Sequence, residues 1–267
     1  MRLFHGMSDK RSEKRARRAS KRAKFHSERM QYLLDKKTPF AITEAFRNLK
    51  AALSVSVPKR DGGVVIMATS AYPQDGKTTV TVNLALMFAI SNAKVIIVDA
   101  DIRKGRVAKY FQEKNVPGLS DYLSGQNTLD EVIRETSADK NLSYISCGTH
   151  SPKPYELLES ETMKNLIEEL RTRYDYVIID TPPVLLLSDA LAIAPVIDGT
   201  VLVCRHQVSY ISDIARALNT LSFAKANVLG VVVNDFKLPP TKSRGNYDSY
   251  YYYSYAYGST EQSEENS

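Results

Sequence analysis

The sequence predicts an α/β protein: a doubly wound, mostly parallel sheet in a single domain, with a phosphate-binding loop after its first strand. Three observations predict it. Six short apolar runs rich in β-branched residues recur along the chain, helical patterns fall between them, and Gly76-Lys77-Thr78 stands where the first run passes into a helix. Strands covered on both faces read as continuous apolar runs, and a strand–helix–strand rhythm implies parallel pairing.

Residues 1–35 read as a basic, disordered arm. The first thirty residues hold eleven Lys and Arg against Asp9, Glu13 and Glu28, a net +8, while the whole 267-residue chain is only +6. The remainder is thus close to neutral. Basic arms attract anionic lipid or nucleic acid. Few apolar residues punctuate this one, so an inserting amphipathic helix is not expected, and a merely solvated extension is the alternative.

From Thr38 to Val57, the spacing of Ile42, Ala45, Phe46, Leu49 and Leu53 predicts a helix, which Pro58 ends. The predicted strands are Val64–Ala68, Val95–Val98, Leu142–Ile145, Tyr176–Ile179, Thr200–Cys204 and Val228–Val233. Helical patterns run from Thr78 to Ser91, Glu161 to Arg173 and Ser209 to Phe223. The folded domain is expected over 36–238, followed by a flexible tail, 239–267.

Two cysteines, Cys147 and Cys204, are too few for a disulfide framework, and Cys204 reads as a buried free thiol suited to a reducing compartment. No apolar stretch approaches the ~20 residues that span a bilayer. The N-terminal charges lack a following apolar segment, so a signal peptide is not expected. The expected location is cytoplasmic, peripheral at the inner face of the membrane through a partner.

In a doubly wound sheet, ligands sit beyond the carboxyl ends of the strands. The chemically suggestive residues fall there. Ala71, Pro73, Gln74, Asp75, Gly76, Lys77, Thr78 and Thr79 form the candidate nucleotide loop, although Ala71 stands where the motif has glycine. Loop amides and the helix N-terminus would cradle phosphates, Lys77 would reach the β- and γ-oxygens, and Thr78 would ligate Mg²⁺. Asp99 and Asp101 follow the second strand and Asp180 follows the fourth. A lone aspartate is most simply a helix cap. Three of them beside a phosphate loop point to metal and proton chemistry. Asn234 after the last strand is a further candidate contact to the nucleotide, with a plain turn as the alternative.

Seven tyrosines crowd residues 247–257: Tyr247, Tyr250, Tyr251, Tyr252, Tyr253, Tyr255 and Tyr257. So many phenol hydroxyls would need buried partners that a packed core cannot use them. They read as acceptors for phosphorylation, or as a low-complexity tail.

Together these elements resemble the bacterial tyrosine kinases of the P-loop NTPase superfamily, in the cytosolic branch that serves capsular and exopolysaccharide synthesis. The markers are the Walker A segment Ala71–Thr79, the A′ segment Val95–Arg103, with arginine after its second aspartate, the Walker B segment Val177–Pro183, and the tyrosine cluster. Gly118–Leu123, Pro154–Leu158 and Gly230–Asn234 also match. The resemblance implies ATP-dependent autophosphorylation of the tail between subunits of a ring, with ATP and Mg²⁺ as cofactors. It implies activation by a membrane-spanning chain-length regulator and reversal by a cognate tyrosine phosphatase. A nucleic-acid partner is not expected. The family's assembly motif, E-x-x-R-x-x-R, reads here through Glu44, Arg47 and Lys50, so lysine replaces the planar fork of the last arginine.

The expected roles are phosphate binding for Lys77, metal binding for Thr78, Asp101 and Asp180, and acceptance of the tyrosine proton for Asp99, with Asp99 and Asp101 open to exchange. A positioning ATPase that hydrolyses ATP with water is the principal rival, though residues 70–75 lack the extra lysine such proteins carry. A scaffold phosphorylated by another kinase is the second.

Overall fold

The computed structural model describes residues 33–57 and 61–236; the basic arm up to residue 32 and the tail from 237, with all seven tyrosines, lie outside them. Seven strands form: β1 (Val64–Ser70), β2 (Val95–Asp99), β3 (Ile133–Glu135), β4 (Leu142–Ile145), β5 (Tyr176–Asp180), β6 (Gly199–Arg205) and β7 (Val228–Asn234). They join one sheet in the order β3-β4-β2-β5-β1-β6-β7. Every neighbouring pair is parallel except β3 with β4. The central strands are covered on both faces, with Val65, Ile66, Met67, Ile96, Ile97 and Ile178 sealed from solvent, which accounts for their unbroken apolar runs.

β7 departs from that expectation. It is the last strand of the sheet among the described residues, and Val231 and Val233 are exposed. β3, the antiparallel exception, was not among the expected strands: it has only three residues, too short for any period to register.

Helix Glu161–Arg173 starts at Ser160, whose hydroxyl oxygen accepts the Met163 amide, and ends with Arg171 and Arg173 in its last turn. The cap and the terminal charges both suit the helix dipole. Arg171 is buried and ion-paired to buried Asp198, and it also donates to the Gly63 carbonyl at 2.9 Å. Asp198 in turn accepts the Val65 amide at 2.8 Å, so this pair fastens the helix to the start of β1.

Helix Phe40–Ser56 buries only Leu53 within its span. Glu44 and Arg47 pair along its exposed side. Lys50 donates to Ser91 Oγ at 2.7 Å, tying the helix to the end of helix Lys77–Ile90. The latter is buried along nearly its whole length, from Thr78 to Ala89, and is not the amphipathic surface helix its neighbours are.

Candidate active site

The phosphate loop leaves β1 at Ser70 and enters helix Lys77–Ile90. Two residues in it take left-handed backbone, Gln74 (φ 73°) and Gly76 (φ 91°). Glycine is required at 76 on two counts: the dihedral favours it, and a Cβ there would lie 1.8 Å from Asn234 Nδ2. Ala71 is not among the left-handed residues and is buried, so the alanine in place of the motif's glycine is accommodated. Pro73 and Gln74 are exposed on the loop and contribute its backbone course.

The loop is braced from inside and behind. Buried Asp75 accepts hydrogen bonds from Ser209 Oγ at 2.9 Å and the Tyr72 amide at 3.3 Å. Asn234 Nδ2 donates to the Asp75 carbonyl at 3.0 Å, placing the end of β7 against the loop. Thr79 Oγ1 and Tyr110 OH lie 2.6 Å apart.

Sheet register brings the aspartates together. Asp99 and Asp180 are directly paired residues of β2 and β5, and Ala68 of β1 pairs with Asp180 from the other side. Thr78 Oγ1 donates to Asp180 Oδ2 at 2.6 Å. The Lys77 ammonium lies 3.4 Å from both oxygens of Asp180 and 3.5 Å from Asp101 Oδ2. Lys77, Thr78, Asp99, Asp101 and Asp180 thus converge, while Glu44, Arg47 and Lys50 sit on a separate helix.

The charges are strongly perturbed. Burial works against the Lys77 ammonium, but Asp180, Asp101 and Asp99 together hold its pKa above the usual lysine value. Burial raises Asp180 despite Lys77 and Thr78. Burial, with the nearby Asp180 charge, pushes Asp99 up to about 8. Asp99 is fully buried, and its oxygens accept the Val107 amide at 3.0 Å and the Asp101 amide at 3.3 Å. Asp101 Oδ1 accepts the Lys104 amide at 2.9 Å, leaving Oδ2 toward Lys77.

The contacts of two residues named from the sequence were not legible in it. Arg103 grips buried Asp189 with two hydrogen bonds of 2.9 and 3.2 Å, which anchors the A′ loop to helix Asp189–Ile193. Its place after Asp101 was the signal; its partner, 86 residues on, was not. Cys147 lies against Gly105, and burial together with Asp99 pushes its thiol up to about 12. It behaves as an inert packing group.

The donor set fits a magnesium–nucleotide ligand. Thr78 and Asp180 offer hard oxygens side by side, and Lys77 stands ready for anions. Among the described residues no group of three or more His, Cys, Asp or Glu side chains can hold an ion alone. Mg²⁺ takes few protein ligands and completes its shell with water and phosphate oxygens.

A family model described as an AAA domain matches residues 73–227. The chain is similar to the tyrosine-protein kinase YwqD of Bacillus subtilis, 37% identical over 182 residues, which cover 68% of this chain and 76% of that protein. It is also similar to the tyrosine-protein kinase ptk of Acinetobacter johnsonii, 34% identical over 194 residues, or 73% of this chain. The match spans only 26% of the length of ptk. Among solved structures, the kinase domain of Escherichia coli tyrosine kinase ETK matches with a TM-score of 0.69 at 31% identity, covering 79% of this chain and 86% of that one.

Proposed function

The chain belongs to the bacterial tyrosine kinases of the P-loop NTPase type, and from that premise we propose that it is an ATP-dependent protein-tyrosine autokinase acting on its own tail. The observation that carries this reading is the convergence of Lys77, Thr78 and Asp180 at the mouth of the phosphate loop. Tyr247, Tyr250, Tyr251, Tyr252, Tyr253, Tyr255 and Tyr257 are the acceptors.

In the proposed reaction the tyrosine oxygen attacks the γ-phosphorus of ATP, the bond from that phosphorus to the β–γ bridging oxygen breaks, and ADP leaves. The tyrosine proton passes to a carboxylate. Phosphoryl transfer demands positioning and charge neutralisation above all. Lys77 and backbone N–H groups of the 71–79 loop hold the phosphates, apart from Pro73, which has none, and Tyr72, whose amide donates to Asp75, with Asn234 fixing the loop through the Asp75 carbonyl. Thr78, Asp101 and Asp180 would hold Mg²⁺, which when bound would neutralise charge on the phosphate oxygens. Asp99 is the proton acceptor in its ionised form: burial raises its proton affinity and brings it nearer to a group whose ordinary pKa is about 10.

Incubating the purified chain with ATP and Mg²⁺ and probing for phosphotyrosine tests the reading. Release of inorganic phosphate without phosphotyrosine would instead establish the positioning-ATPase alternative. Label only when another kinase is added would establish the scaffold.

The wider setting is also proposed. Chains assemble as a ring through Glu44, Arg47 and Lys50, respond to a membrane-spanning chain-length regulator, and are reset by a tyrosine phosphatase. They govern capsular or exopolysaccharide synthesis from the cytoplasmic face. No helix of the described residues is long and apolar enough to cross a membrane. A polysaccharide size distribution unchanged by Lys77→Met in cells would overturn this setting. The +8 of the first thirty residues gives the arm an affinity for anionic lipid; equal vesicle binding by full-length protein and a variant lacking residues 2–30 would remove that role.

A further inference from the structure

Beside the proposed transfer site lies a cavity of about 330 Å³, lined in part by Lys104, Gly105, Arg106, Lys109, Asn115 and Cys147. It adjoins the proposed proton acceptor directly. A Cβ built on Gly105 would lie 2.4 Å from Cys147 Cβ and 2.7 Å from Asp99 Oδ2. The wall between cavity and carboxylate is therefore one glycine thick.

The lining carries unspent charge. Lys104, Arg106 and Lys109 are exposed, and among the described residues no carboxylate pairs with their side chains. Like charges gathered without counter-ions repel, and an arriving anion relieves them. The ligand is therefore anionic.

The chain itself supplies one. After Arg244 the sequence has no cation, and beyond the tyrosine cluster come Glu261, Glu264 and Glu265. These glutamates follow Tyr257 by four to eight residues, an extended distance of about 13 to 27 Å. A tyrosine at Asp99 thus leaves the acidic segment long enough to reach the neighbouring cavity.

We propose that Lys104, Arg106 and Lys109 form a docking subsite for the acidic end of the tail, residues 258–267, which holds the tyrosine cluster at the transfer site. The kinase thereby favours tyrosines followed, four to eight residues on, by carboxylates. The proposal rests on the autokinase reading and names how that site selects its acceptor.

The test uses full-length chains and the initial rate of tail phosphotyrosine at low salt. Glu261→Gln/Glu264→Gln/Glu265→Gln should lower the rate about fivefold, the scale of a few exposed charge pairs acting together. Lys104→Ala/Arg106→Ala/Lys109→Ala should lower it comparably, and combining the two sets should add little, since both remove one interaction. Raising salt to about 0.5 M should slow the wild type toward the glutamine-tail rate and leave that variant nearly unchanged. A glutamine tail labelled at the wild-type rate would overturn the proposal. That variant alters no described residue, so it decides the matter even where the loop variant fails to fold. A wild type with no phosphotyrosine at all would refute the autokinase reading itself.

Discussion

Thr78 and Asp180, 102 residues apart in the chain, meet through a 2.6 Å hydrogen bond from the hydroxyl to the carboxylate. The first turn of the phosphate-loop helix is thereby locked to the end of β5. The bond also holds together two oxygens that a hard cation would share. Lys77 packs over the same carboxylate, so one buried aspartate organises both the cationic and the hydroxyl sides of the site.

Replacing Lys77 removes the cation that offsets three neighbouring carboxylates. Lys77→Met should reduce tail phosphotyrosine by at least about 100-fold, the scale of losing one preorganised charge in a transfer site. Circular dichroism should be unchanged. Undiminished labelling in a preparation free of other kinases would sink the assignment.

Asp99 should leave a signature in stability against pH. Its carboxyl is raised to about 8 in the folded chain, against about 3.9 unfolded. Between those values the folded protein keeps a proton that the unfolded chain has released, so stability falls as pH rises. The melting temperature of nucleotide-free wild type should therefore drop from pH 5 to 8 more steeply than that of Asp99→Asn. Parallel melting curves would show that Asp99 is not the proton holder. In the kinase assay, loss of rate with Mg²⁺ affinity retained would support its role as base, and the reverse would move it to the metal.

Arg171→Met should destabilise the fold by about 3–5 kcal/mol, because it removes the cation paired with the buried Asp198 carboxylate. Denaturant unfolding measures this. A change below about 1 kcal/mol would mean that the remaining contacts of Asp198 satisfy its charge.

Tail phosphorylation should dissociate the assembly. Each phosphate adds about −1.5 to −2 charges at pH 7, and several per tail load like charge around a ring. Light scattering should find Lys77→Met protein assembled and fully phosphorylated wild type near monomer. Equal masses would exclude the switch.

The six parallel strands were legible because burial on both faces writes continuous β-branched runs such as Val95–Val98. The loop, Asp99, Asp101 and Asp180 were legible because topology puts chemistry at strand ends. What stayed hidden lacks local signal. β3 and the four- to six-residue helices, such as Val107–Tyr110 and Pro154–Glu159, are shorter than the periods that reveal elements. Arg103–Asp189 and Arg171–Asp198 join residues whose nearness depends on how strands are ordered, and strand order is not written in any one segment. β7 lies at the end of the sheet among the described residues, with Val231 and Val233 exposed, which its apolar run conceals.

Asn234 closes β7 and at the same time holds the Asp75 carbonyl of the phosphate loop. Tyr247 follows Asn234 by thirteen residues. On the autokinase reading the tyrosines are therefore tethered to the machinery that is to modify them, and within an assembly they cannot be diluted away from it. Tethering of this kind holds a reactant at an effective concentration on the order of millimolar. The labelling rate per chain should accordingly stay constant on dilution and fall only where the assembly itself comes apart, which stopped-time assays across a concentration series would reveal.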